Sequence, residues 1–164
     1  LSDGEARFNS PEGFVAGLKP HAEKIAKQEG LNPKALIAQA ALETGWGQRL
    51  VPGRHGGSSN NLFNIKADQR WAGDKSHVST LEFDGDVARK ERAAFRSYSN
   101  VEQSLQDYVD FIKGHPRYQQ ALKVADDPAQ YAEALQSAGY ATDPKYAQKI
   151  QSVLNNPAFA DKSI

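Results

Sequence analysis

The sequence predicts a mainly α, α+β fold in which a helical lobe carries one small inserted β-hairpin lobe. Apolar residues recur at helical spacing near both ends of the chain. In the middle, two β-prone runs at 76–83 and 87–98 flank the turn residues 84–86. Residues 89–92 are all charged, so we expect much of this hairpin to face water.

The helices are delimited by capping residues and glycines. A capping side chain followed by proline marks four helix starts: Ser10-Pro11, Asn32-Pro33, Asp127-Pro128 and Asp143-Pro144. Residues 99–102 have the pattern of a capping box. Glycines placed to close helices in the left-handed conformation are Gly30, Gly114 and Gly139. With Pro20 expected to kink or break the first helix, the pattern predicts about six helical segments.

Length and composition bound the possible functions. The 164 residues suit one domain, which we place at 10–164 after a flexible lead-in at 1–9, with the β-lobe at about 70–98. Twenty Lys and Arg balance twenty Asp and Glu, so a nucleic-acid partner is not expected. No Cys is present and the four His are scattered, so no metal is expected. The sequence has neither a P-loop nor a dinucleotide fingerprint, and no organic cofactor is expected. The absence of Met predicts a piece of a longer protein, and no apolar run is long enough for a membrane span.

Glu43 follows a strongly apolar helical run. Residues 35–42 contain one polar residue, Gln39, so this helix is expected to be buried. Burial raises the pKa of a carboxyl that has no adjacent cation, because desolvation penalises the charged form. Such a carboxyl holds a proton near neutral pH, as a general acid must. The alternative is a glutamate at a frayed helix end in water, and the residues alone leave both interpretations open.

Aromatic and amide side chains in the middle of the chain suit a sugar-binding cleft, since the apolar face of a pyranose stacks on a flat ring. Trp46 and Trp71 lie in glycine-rich, loop-like sequence, which favours a binding role for them. Further candidates are Phe63, Tyr98, Asn60, Asn61 and Asn64. Most aromatic residues belong to the core, so each of these alone is also explained by packing.

Hydrolysis of a glycoside by two acids requires a second carboxylate. The hairpin offers Glu82, Asp84, Asp86 and Glu91. Asp84 and Asp86 are typical turn residues, and the simplest interpretation of Glu82 is a solvent-facing strand position. Asp107 lies in a capped helix, where a surface position or a structural hydrogen bond is the default.

Six short motifs resemble, in order, those of bacterial N-acetylglucosaminidases that cut peptidoglycan, glycoside hydrolase family 73. They are ALETGWG at 41–47, NLFNIK at 61–66, AFRSY at 94–98, SLQDY at 104–108, PRY at 116–118 and AGYATDP at 138–144. The resemblance covers nearly the whole chain. It is greatest to a flagellar member of the family, in which a rod-capping half precedes the hydrolase domain.

The resemblance implies a lysozyme-like fold with a β-hairpin lobe beside a substrate cleft, and cleavage of the β-1,4 bond between N-acetylglucosamine and N-acetylmuramic acid. It identifies Glu43 as the general acid and Glu82 as the second carboxylate. It also implies that Tyr140 is important in the cleft and that Asp107 has a supporting role. The expected substrate-binding side chains are Trp46, Phe63, Asn64 and Trp71.

The implied partners are the glycan strands of peptidoglycan and, through a half that this chain lacks, flagellar rod or cap proteins in the periplasm. Three mechanisms remain open. Glu82 would activate a water molecule, or it would itself act as the nucleophile. In the third, the N-acetyl oxygen of the substrate would be the nucleophile. The competing functions are a lytic transglycosylase with a single glutamate, a muramidase-type cleavage and, more distantly, a non-catalytic module that binds the cell wall or serves in assembly.

Overall fold

The computed structural model of the protein describes residues 8–160, with their side chains except at 80 and 82–84. Within that range lie six α-helices: α1 (Pro11–Glu29), α2 (Pro33–Thr44), α3 (Val101–Lys113), α4 (Gln119–Lys123), α5 (Pro128–Ser137) and α6 (Tyr146–Leu154). Strands β1 (Lys75–Asp84) and β2 (Val87–Arg96) form an antiparallel hairpin between α2 and α3. The predicted mainly helical fold with one inserted hairpin is therefore confirmed. The predicted lead-in at 1–9 lies largely outside the described residues.

Three of the predicted caps start helices as expected. The side-chain oxygens of Ser10, Asn32 and Asp127 accept backbone N–H bonds of 2.9–3.0 Å in the first turns of α1, α2 and α5. Asp143 differs, because it accepts from the N–H of Lys145 and α6 begins only after that turn. Asparagine, serine and aspartate satisfy N–H groups that have no partner within the helix.

Other helix boundaries differ from the sequence prediction. Helix α1 continues through Pro20, so the predicted break does not occur. Its apolar face continues across this point, where Leu18 and Ala22 are both fully buried, and packing outweighs the hydrogen bond that proline removes. Gly114 has a right-handed φ of −79°, not the left-handed one expected. The cap of α3 is Asn100, one residue later than predicted.

Helix α2 is the central element of the core. Every residue from 35 to 41 is buried, and the helix packs against α1, α5 and α6. The predicted burial of this run is confirmed. The end of α2, which leads to Glu43, is therefore fixed by its packing against the neighbouring helices. No helix in the described range is both long and apolar enough to cross a membrane.

The hairpin is attached to the helical body along the outer side of β2. Arg96 N–H donates to the carbonyl of Ile65 at 3.0 Å, and Ala67 N–H donates to that of Ala94 at 2.9 Å. The free end of the hairpin is solvent-exposed, with Leu81 57% exposed. The segment that follows Asn64 is therefore positioned by the hairpin on one side and by the helical body on the other.

Candidate active site

A cleft of about 670 Å³ lies where the C-terminal end of α2 meets the hairpin base and the loops after α3 and α5. Of the eight site residues predicted from the sequence, four line this cleft: Glu43, Phe63, Asn64 and Tyr140. These four residues come from three of the six motifs. Tertiary structure therefore brings together side chains up to 97 positions apart (140 − 43).

The end of α2 places Glu43 in this cleft. Gly45 adopts a left-handed φ of 56° and closes the helix two residues later. The Thr44 hydroxyl donates to the carbonyl of Ala40 at 2.7 Å and accepts from the N–H of Gly47 at 2.9 Å. Thr44 is fully buried, so the turn that ends the helix is fixed from inside, and the side chain of Glu43 is directed into the cleft wall.

The Glu43 carboxyl is half-buried and has one weak polar contact. Asn64 Nδ2 donates to the backbone carbonyl of Glu43 at 2.9 Å and lies 3.5 Å from its Oε2. Burial raises the pKa of Glu43 above its ordinary value, and the contact with Asn64 opposes this only in part. The raised pKa expected from the sequence is therefore found, and no Lys or Arg pairs with this carboxyl among residues 8–160.

Tyr140 lines the same cleft and is held by other aromatic rings. Its ring centroid lies 5.8 Å from that of Tyr118 and 5.7 Å from that of Tyr146. Burial raises the pKa of Tyr140 well above its ordinary value, and the negative charges that Tyr146 and Glu43 can carry raise it further. The hydroxyl is therefore neutral, and it has no hydrogen-bond partner in the described part of the chain, so it is free to bind a ligand.

A buried polar network supports the cleft from below. Gln39, one turn before Glu43, donates to the hydroxyl of Tyr146 at 2.7 Å and accepts from that of Tyr108 at 2.5 Å. The Tyr108 hydroxyl lies 2.7 Å from that of Tyr131. Buried polar groups that are all paired hold one arrangement of the surrounding side chains. Gln39, the one polar residue of the apolar run, thus joins α2 to α3, α5 and α6.

Asp107 lies beside the cleft, not on its walls. Its Oδ2 accepts from Arg96 Nη1 at 2.8 Å and from the Tyr98 hydroxyl at 2.5 Å. Arg96 lines the cleft, and its guanidinium lies 4.6 Å from the ring centroid of Trp71. Asp107 therefore acts on the cleft through Arg96, and the sequence interpretation of a structural hydrogen bond fits its position.

The predicted sugar-binding aromatic residues lie in different environments. Phe63 lines the cleft and stacks on Tyr108 at 4.1 Å. Trp46 packs instead between Phe14 and Phe159, at 6.1 Å and 6.0 Å. Trp46 is thus part of the helical core and does not line the cleft, because the left-handed turn after α2 directs it inward.

Trp71 is half-buried at the hairpin base, where its indole N–H donates to the carbonyl of Asp74 at 2.9 Å. It does not line the cleft but contacts Arg96, which does. The predicted second carboxylate, Glu82, is paired with Arg89 along the backbone of β1 and β2. Its side chain lies outside the part of the structure that is described.

The sequence argument did not single out several cleft residues. Arg96 and Tyr118 line the cleft, and both lie inside recognised motifs, so motif membership was the available signal. Lys66 and Arg117 also line it and are exposed. Lys66 ends the NLFNIK motif and Arg117 is the middle residue of PRY, so motif membership was the available signal for these two cations as well. Their place on the cleft wall depends on how the loops fold together.

Comparisons with known proteins found a matching family model and several relatives. The Glucosaminidase family model, described as mannosyl-glycoprotein endo-beta-N-acetylglucosaminidase, matches residues 19–158. The peptidoglycan hydrolase FlgJ of Vibrio parahaemolyticus is 55% identical over 148 residues, which cover 90% of this chain and 48% of that protein. The chain spans about half the length of the curated relatives that it matches or less.

Two solved structures are similar over almost their full length. The C-terminally truncated glycoside hydrolase domain of FlgJ from Salmonella typhimurium has a TM-score of 0.78 and 39% identity, covering 94% of this chain and 99% of that one. A peptidoglycan hydrolase mutant from Sphingomonas sp. A1 has a TM-score of 0.77 and 41% identity, covering 91% of this chain and 96% of that one.

Proposed function

The chain belongs to the glucosaminidase family of glycoside hydrolases, and on that premise we propose that it hydrolyses the glycan strands of peptidoglycan. The bond cut is the β-1,4 bond between N-acetylglucosamine and N-acetylmuramic acid. The family description supports cleavage beside a β-linked N-acetylglucosamine, and the names of the similar proteins support peptidoglycan as the substrate. One structural observation carries the proposal: a carboxyl with a raised pKa on the wall of an open cleft of about 670 Å³.

Glu43 is the general acid in this proposal. A carboxyl whose pKa is raised keeps its proton near neutral pH and transfers it to the glycosidic oxygen as the bond breaks. Asn64 fixes the backbone of Glu43 and approaches its Oε2, so the acid is oriented before the substrate arrives. Phe63 lies in the wall of the same cleft, where it is buried and stacked on Tyr108.

The hairpin supplies the second carboxylate, Glu82, in the simplest mechanism. A separation of about 6.5–9.5 Å between the two carboxyls would let Glu82 activate water with inversion, and about 5–5.5 Å would make it a nucleophile. In a third route, the N-acetyl oxygen of the substrate attacks, and the neutral Tyr140 hydroxyl binds or orients that group. Arg96 and Asp107 are positioning residues that hold the hairpin beside the cleft.

Digestion of defined peptidoglycan tests this proposal. Mass spectrometry of the fragments is expected to show new reducing ends on N-acetylglucosamine, and NMR of the fresh products gives the anomer and so the route. Reducing ends on N-acetylmuramic acid would instead indicate a muramidase, and anhydro-sugar ends a lytic transglycosylase. Binding of sacculi without any new ends would identify a non-catalytic module.

A peptidoglycan substrate implies action outside the cytoplasm. We propose the periplasm as the compartment and the opening of the wall for the flagellar rod as the biological role. The likeness to FlgJ proteins supports the role. Rod or cap proteins would be partners of a longer protein that contains this domain. Retention of the domain by purified rod proteins, compared with the same domain joined to a rod-binding half, tests that part.

A further inference from the structure

A second cavity, of about 480 Å³, lies at the outer edge of the hairpin. It is formed by the loop at 52–54, by residues 75–79 of β1 and by one side chain of β2. The cations that line it are Arg54, Lys75 and Arg92, together with His77, and none of its lining residues is Asp or Glu. Three separate chain segments thus contribute positive groups to one concave surface.

The strand register explains why positive charge collects there. Lys75 pairs with Arg96, Ser79 with Arg92 and Leu81 with Lys90. In two antiparallel strands, the side chains of directly opposite residues lie on the same face of the sheet. Every second side chain along one strand also lies on that face. These four cations therefore occupy one face of the hairpin, and no carboxylate stands at any of those paired positions. The chain as a whole is neutral, so the excess is local.

The cations of this cavity lack neutralising partners within the described residues. Arg96, at the base of the same face, forms an ion pair with Asp107 at 2.8 Å, whereas Arg54, Lys75 and Arg92 form none with any side chain that the structure describes. Like charges around one concave surface raise its potential and attract anions. Guanidinium groups in particular present parallel N–H donors that match a carboxylate.

The position of the cavity indicates which anion it binds. Arg96 lines the cleft that contains Glu43, and its cross-strand neighbour Lys75 lines the second cavity. The two concave surfaces therefore meet at one cross-strand pair on one face of the hairpin, which places the second cavity beside any polymer that lies in the cleft. From Lys75 to Ser79 the strand extends about 13 Å, enough for a few residues of an extended peptide.

We propose that this second cavity binds the carboxylates of the peptides that branch from the glycan strand of peptidoglycan. The proposal rests on the proposed function for the identity of the polymer. In it, Glu43 and the cleft select the sugar bond, while Arg54, Lys75 and Arg92 select glycan that still carries its acidic peptide. The preference for peptide-bearing glycan then depends on the basic cavity, and cleavage of the bond depends on the cleft that contains Glu43.

Kinetics on two soluble substrates test the proposal, namely glycan strands that carry their peptides and strands from which the peptides have been removed. The double variant Arg54→Glu and Arg92→Glu is compared with a charge-matched control, Lys27→Glu and Lys123→Glu, whose lysines are exposed on α1 and α4. The KM of the first variant for peptide-bearing strands should rise about tenfold, as expected for reversed charged contacts. Its kinetics on peptide-free strands, and the control on both substrates, should match the wild type. Equal losses on both substrates would overturn the proposal.

A binding experiment separates this proposal from the proposed function. An acidic tripeptide with two free carboxylates is titrated into the isotope-labelled wild-type domain, and shifts at Arg54, Lys75 and Arg92 are expected. An absence of shifts there contradicts the peptide site even if the glycan is cleaved, and shifts without any cleavage contradict the glycosidase function alone. Inorganic phosphate serves as the second probe. Equal affinity for phosphate would show a general anion site and overturn the assignment to peptide carboxylates.

Discussion

Arg96 at the end of β2 and Asp107 in α3 form an ion pair at 2.8 Å that joins the hairpin to the helical body. Their side chains are only 15% and 19% exposed, so water screens the pair weakly. The Tyr98 hydroxyl donates to the same carboxylate oxygen. Because Arg96 also lines the cleft, this pair sets the position of the hairpin relative to Glu43.

Replacement of Asp107 by Ala should destabilise the fold and lower activity together. The change leaves the Arg96 guanidinium and the Tyr98 hydroxyl without their acceptor, at a cost of about 1.5–3 kcal/mol in the free energy of unfolding. Urea unfolding measures this cost. Lys149→Ala is the control, because it removes only the exposed pair that Lys149 forms with Asp143, which should contribute about 0–1 kcal/mol. Equal costs for the two variants would contradict the positioning role.

Glu43→Gln should lower kcat about 10²–10⁴-fold, since the amide cannot transfer a proton to the leaving oxygen. The wild type should lose activity as pH rises through the raised pKa of Glu43, because the acid must be protonated. Release of reducing ends from glycan strands measures both effects. Glu133→Gln, an exposed position on α5, should be fully active. Near-normal activity of Glu43→Gln would refute its assignment as the acid.

Glu43→Gln should also change the thermal stability of the domain, by an amount that depends on pH. Since the pKa of Glu43 is raised in the folded state, the folded state binds this proton more tightly than the unfolded one. Ionisation then destabilises the fold as pH rises above the unfolded value of about 4.3. Glu43→Gln should therefore have a higher Tm than the wild type at about pH 7 and an equal Tm at about pH 3.5. A Tm difference that is the same at both pH values would contradict the burial effect.

Tyr140→Phe should lower kcat about 10²-fold, the size expected when one donor to the reacting group is lost, and leave Tm unchanged. Its hydroxyl bonds no residue in 8–160, so the folded state loses no hydrogen bond. Tyr131→Phe should behave in the opposite way, because it breaks the buried contact with Tyr108 at about 0.5–1.5 kcal/mol. Full activity of Tyr140→Phe would remove its hydroxyl from the mechanism.

Glu82→Gln distinguishes two mechanisms. If the hairpin carboxylate activates water or attacks the sugar, the variant should lose about 10²-fold or more in kcat. Glu91→Gln on β2 is the control for charge on the hairpin and should retain activity. Unchanged activity of Glu82→Gln would leave two routes, and the products separate them: anhydro-sugar ends indicate a lytic transglycosylase, and retained anomers indicate attack by the N-acetyl group.

The elements and the principal acid could be predicted from the sequence because local rules govern both. Capping residues and prolines mark helix starts through their own hydrogen bonds, as at Ser10 and Asn32. The hairpin follows from β-prone runs around a turn. The apolar run before Glu43 implies a buried helix, and burial alone is enough to raise the pKa of a carboxyl at its end.

Tertiary structure decided the features that depend on contacts between distant residues. Trp46 and Phe63 both pack against the core, yet only Phe63 lines the cleft, because the left-handed turn after α2 directs Trp46 toward Phe14 and Phe159. The role assigned to Arg96 depends on two distant residues: Asp107, with which it forms an ion pair, and Lys75, which lies opposite it in the hairpin. The sequence by itself determined which residue types were available for glycosidic cleavage and where the helices begin. The direction of each side chain, and hence the cleft and the basic cavity beside it, depends on long-range packing that no local pattern contains.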